Sequence, residues 1–79
     1  MTLPPDPDNL NNDRARWAGA AISSFMFAAA GTEPETALSD LLCDLMHWAD
    51  RQEECFESAL EHARWHYAEE TSAPAQAGE

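Results

Sequence analysis

The stretch from Ala37 to Asp50 constrains the fold more than any other part of the chain. Leu38, Leu41, Leu42, Leu45 and Ala49 recur there at helical spacing, with Ser39, Asp40, Asp44, His47 and Asp50 between them. Apolar residues that return every three to four positions mark one face of an amphipathic helix. Trp48 and Leu41 widen the stripe on one flank, and Met46 and Leu42 widen it on the other. An arc this wide meets two neighbours, so the pattern predicts a central helix with one helix before it and one after.

Both flanks supply such a helix. Before the centre, Trp17, Ala18, Ala21, Ile22, Phe25, Ala28 and Ala29 lie along one face of a helix predicted over 13–30, with Phe27 on the opposite side. Asn11 or Asn12 is its expected N-cap, Asp13 sits in its first turn, and Gly31 is the expected left-handed residue that ends it. Thr32-Glu33-Pro34-Glu35 has the pattern of a capping box, which places the start of the second helix at 34 and its end at 50. After the centre, Phe56, Ala59, Leu60, Ala63 and Tyr67 define a third helix over 55–70, with Trp65 off that stripe. Arg51-Gln52-Glu53-Glu54 has no apolar member and is predicted to break the chain between helices two and three. The competing arrangement is one continuous long helix, which leaves its stripe without a third wall. The expected organisation is therefore a lead-in over 1–11, an all-α three-helix domain over 12–70, and a disordered tail over 71–79. Pro4, Pro5 and Pro7 make the lead-in flexible and non-helical.

A chain of 79 residues holds one domain at most, and its core is thin. That thinness makes a homodimer the structural alternative to a monomeric bundle. Fifteen acidic residues face four basic ones, giving a formal net charge of −11; the four are Arg14, Arg16, Arg51 and Arg64, and lysine is absent. Such a surface repels nucleic acid and anionic membrane, and favours a basic partner. No stretch is long and apolar enough to span a bilayer, and the start lacks the basic and apolar regions of a signal peptide, so the expected setting is cytoplasmic.

Catalytic patterns are missing. There is no Gly-rich phosphate loop, no GxSxG and no HExxH, so the expectation is a non-enzymatic protein without a cofactor. His62 and His66, four apart, suit two imidazoles on one metal ion, with Asp44, Asp50 or Cys43 to complete the set. Surface histidines on an acidic helix are the more ordinary explanation. Cys43 and Cys55 flank the second turn without forming a CxxC, and free cysteines are often plain core filling. The most informative functional feature is the acidic band: Asp40, Asp44, Asp50, Glu53, Glu54, Glu57 and Glu61 run over helix two, the turn and helix three. Carboxylates on rigid helices stand in for phosphates and fit a basic nucleic-acid groove, whereas the plain alternative is that they only solubilise. Phe27 and Trp65, both on outer faces, are the expected apolar anchors of a partner or dimer contact.

Asp13-Arg14-Ala15-Arg16-Trp17, Gly31-Thr32-Glu33, Asp44-Leu45-Met46-His47-Trp48-Ala49-Asp50-Arg51 and Ala63-Arg64-Trp65-His66-Tyr67 resemble short open reading frames of bacterial phages, plasmids and integrative elements. The resemblance covers about 13–70. It implies a setting in which small acidic helical proteins often inhibit host defence, anti-CRISPR proteins among them. Those share no sequence motif, so the resemblance assigns no functional residue. Gln52-Glu53-Glu54 departs from it by lacking the Gly expected at the turn between helices.

Overall fold

The computed structural model describes residues 2–73. Among these the regular structure is helical throughout: α1 (Asn11–Ala28), α2 (Ala37–Arg51) and α3 (Phe56–Glu70). α2 packs against both α1 and α3, but not through the whole of its expected apolar arc, since Leu38, Leu42, Leu45, Met46 and Trp48 stay exposed. The protein is an all-α three-helix unit, with helix bounds shifted by up to three residues from those expected. Most of the tail expected over 71–79 lies outside the described residues.

Each shifted bound has a local cause. α1 begins at Asn11 because the residues before it supply its cap. The Asp8 Oδ1 accepts a hydrogen bond from the Leu10 amide at 3.1 Å, and the Asp6 Oδ1 accepts one from the Asn11 amide at 3.2 Å. Carboxylates at a helix N-terminus satisfy amides that have no intrahelical partner and oppose the positive end of the helix dipole. Asn11 itself is not the cap, since its side chain donates to the Glu70 carbonyl at 2.8 Å instead. The second half of the lead-in is thereby fastened to the start of α1 and the end of α3.

The capping box expected at Thr32 does not form. The Thr32 hydroxyl donates back to the Ala29 carbonyl at 2.7 Å and satisfies the end of α1 rather than the start of α2. Residues 33–36 form a turn, and α2 begins only at Ala37. Gly31 has φ +98°, the left-handed value expected of it, two residues past the C-cap Ala29.

The break between α2 and α3 is a Schellman closure. The Glu54 amide donates to the Ala49 carbonyl at 2.9 Å, and the Glu53 amide donates to the Asp50 carbonyl at 3.4 Å. That motif requires a left-handed residue at its C′ position. Glu53 occupies it with φ +57°, so the turn forms without glycine. At the far end of α3, the Thr71 and Ser72 hydroxyls cap the carbonyls of Tyr67 and Glu69.

Burial is slight. Among the described residues only Ala37 and Ala49 are buried, at 3% and 4% exposure. Both lie on α2, one near each end, where a methyl side chain lets a neighbouring helix approach closely. Ile22 and Phe25 of α1 with its C-cap Ala29, Leu41 of α2, and Phe56 and Leu60 of α3 are half-buried. Other residues expected on core faces, among them Trp17, Ala18, Ala21, Ala28, Ala59, Ala63 and Tyr67, are exposed. The cause is geometric: α1 and α3 each pack mainly on α2 rather than on each other, so each covers a narrow strip. The unit measures 52 × 28 × 18 Å, and its radius of gyration of 15.8 Å exceeds the roughly 12 Å of a globular chain this long.

Candidate functional site: the acidic helical surface

α2, the Glu53 turn and α3 carry the acidic band in succession. Asp40 and Asp44 occupy consecutive turns of one α2 face, and Asp50 follows near the helix end. Asp40 is half-buried and accepts a 2.9 Å hydrogen bond from the Thr36 hydroxyl, which fixes its carboxylate. Asp44, Asp50, Glu53, Glu54, Glu57 and Glu61 are all exposed. Glu57 and Glu61, one turn apart on α3, line a shallow groove of about 210 Å³ with Leu60 and Arg64.

The electrostatics of this band differ from those of the N-terminal end. Among the described residues the ion pairs are Arg14–Asp8 at 2.8 Å, Arg14–Glu70 at 3.3 Å and Arg16–Asp13 at 2.6 Å. None of them involves a residue of the acidic band. Arg51 lies beside the band but donates to the His47 carbonyl at 3.0 Å, which caps α2 rather than neutralising a carboxylate. Although Arg51 and Arg64 lie close by, the band is therefore a run of carboxylates with no ion-pair partner among the described residues, held on two helices and the closed turn between them.

The two aromatic anchors expected from the sequence are at the surface. Phe27 is 90% exposed and Trp65 59%. Trp65 belongs to an aromatic group on α3: His62 and His66 have ring centroids 4.5 Å apart, and Trp65 meets the His66 ring edge-on at 5.2 Å. The two histidines share a face, as their spacing predicts. Among the described residues, however, no group of three metal-ligating side chains forms, so neither Asp44, Asp50 nor Cys43 completes a site there.

Cys43 and Cys55 are free and exposed, not core filling. Cys55 occupies the N-cap position of α3, where the donor groups of Ser58, its hydroxyl first and its backbone amide second, favour the thiolate and lower the thiol pKa from its ordinary value. No helix among the described residues is long and apolar enough to cross a membrane.

One feature escapes a reading of sequence pattern. A groove of about 460 Å³ opens where the lead-in crosses α1 and the end of α3, walled by Leu3, Pro4, Ala18 and Tyr67 and bordered by Arg14. Arg14 is committed to Asp8 and Glu70. The signal was the spacing of Asp6 and Asp8 ahead of Arg14, a pattern as common in unstructured chains as in folded ones.

In comparisons with protein-family models, curated proteins and solved structures, nothing matched this chain, so the functional reading rests on its own residues and geometry.

Proposed function

We propose that this protein is a non-enzymatic acidic binding protein that docks its α2–turn–α3 surface on a basic, nucleic-acid-binding protein. The observation that carries this is the run of seven carboxylates, Asp40, Asp44, Asp50, Glu53, Glu54, Glu57 and Glu61, on rigid elements with no ion-pair partner among the described residues. An exposed carboxylate already paired with arginine has little attraction left for a partner. An unpaired one, pre-positioned on a helix, gains a charge-assisted hydrogen bond when an arginine or lysine meets it. A groove built for phosphates presents such donors at close intervals. Phe27 on α1 and Trp65 on α3, both exposed, are the candidate apolar anchors.

The concrete form is an inhibitor carried by a phage or mobile element, acting in the bacterial cytoplasm on a host complex such as a CRISPR effector. The resemblance to short mobile-element reading frames and the net charge of −11 support that form. The test is a charge-neutral series, Asp44→Asn, Glu54→Gln, Glu57→Gln and Glu61→Gln, measured for binding to a purified effector complex at two salt concentrations. Each change should weaken binding by about 0.5–1.5 kcal/mol at low salt and by less at high salt. Affinity indifferent to all four changes and to salt rules the reading out.

A further inference from the structure

We infer that a second copy of this chain covers the exposed apolar face of α2, so that the three-helix unit is half of a two-fold dimer. Leu38, Leu42, Leu45 and Ala49 are spaced four, three and four apart, the a/d alternation of a helix-to-helix seam. Ala49 is already buried, but Leu38 remains 63% exposed, and Leu42, Leu45 and the adjoining Met46 also stand open. At 100° per residue these side chains lie on the side of α2 away from Asp40, Asp44 and His47. α2 thus has two separate outward surfaces, one acidic and one apolar.

The exposed area fits a missing partner of this size. The chain exposes 6727 Å² where a folded monomer of 8.7 kDa exposes roughly 4,700 Å². Part of the surplus of about 2,000 Å² belongs to residues outside the three helices. In a permanent dimer each partner buries roughly 1,000–2,500 Å². A unit whose only buried side chains among the described residues are two alanines also has little to set against the entropy of ordering three helices. The occupant must therefore be present whenever the chain is folded, and a second copy meets that condition. A leucine and methionine seam without charges is self-complementary across a two-fold axis. A basic partner is drawn instead to the acidic side, so this inference stands independently of the proposed docking surface.

The test is sedimentation equilibrium on the full chain at tens of micromolar, with thermal unfolding followed over a hundredfold range of concentration. The expected mass is twice 8.7 kDa, with a Tm that rises with concentration. Raising salt should tighten the dimer, because it screens the repulsion between two chains of net charge −11. Leu42→Glu should reduce the mass to that of one chain or leave the chain unfolded, and Phe27→Ala should leave the dimer intact. A wild-type mass of one chain with a concentration-independent Tm overturns the inference and leaves the face to some other occupant. A dimer that Phe27→Ala dissociates and Leu42→Glu does not also overturns it.

Discussion

Glu53 holds a backbone conformation that L-residues other than glycine and asparagine rarely adopt. The Schellman closure of α2 demands it, and the strain is roughly 1–2 kcal/mol for a residue with a Cβ. Glu53→Gly should therefore raise stability by about 0.5–1 kcal/mol, net of the extra freedom glycine has when unfolded. Urea unfolding at neutral pH reads this directly, and a loss of stability would mean the turn closes another way. A residue with such a backbone conformation that also belongs to the acidic band is a natural place for stability and charge to be traded.

Asp8 is the other residue with a measurable consequence. The Arg14 guanidinium first, and the Leu10 amide second, hold its carboxyl pKa down at about 2. A carboxyl depressed in the folded state contributes stability that is complete above its unfolded value near 4 and lost as the pH falls towards 2. The junction of lead-in, α1 and α3 should thus loosen between about pH 4 and pH 2. Arg14→Ala should return the Asp8 titration, followed by NMR, to the ordinary carboxylate range. A titration unchanged by that substitution would mean the pair does not form in solution. In the same way Ser58→Ala should slow alkylation of Cys55 near neutral pH, because the hydroxyl that favours the thiolate is gone.

At the scale of elements, α2 is in contact with its neighbours through very small side chains. Ala49 is buried and its carbonyl also closes the Schellman turn. Ala49→Leu should cost about 1–3 kcal/mol by overpacking, seen as a lower urea midpoint with the helical spectrum retained. The three helices, their order and the central place of α2 were legible because periodicity reports which face of a helix is apolar. The break after Arg51 was legible from the absence of apolar residues in Arg51–Glu54, although the residue that makes it, Glu53, carries no sequence signature for a left-handed angle. The start of α2 was not legible. A threonine hydroxyl both accepts and donates, and Thr32 donates to the helix behind it rather than accepting from the one ahead. Nor does periodicity say what covers an apolar face, which is why Trp17 and Tyr67, placed on core stripes by spacing, stand exposed. The acidic band was legible as composition. That its members lack ion-pair partners among the described residues, while Arg14 and Arg16 are engaged elsewhere, required the structure.

At the scale of the whole molecule, charge and apolar surface are divided. The arginines with ion pairs gather where the lead-in meets α1 and α3, and the unpaired carboxylates spread over α2, the turn and α3. Salt should act oppositely on the two proposed interfaces, tightening contact between copies and weakening contact with a basic partner. In the proposed function the carboxylate surface takes the place of a phosphate backbone. Competition tests it most directly: a basic nucleic-acid-binding effector is loaded with labelled duplex DNA and titrated with this protein. The DNA should be displaced as the protein binds, and a variant with Asp44, Glu54, Glu57 and Glu61 changed to their amides should displace it at least tenfold less effectively. A stable ternary complex of effector, DNA and protein would contradict it.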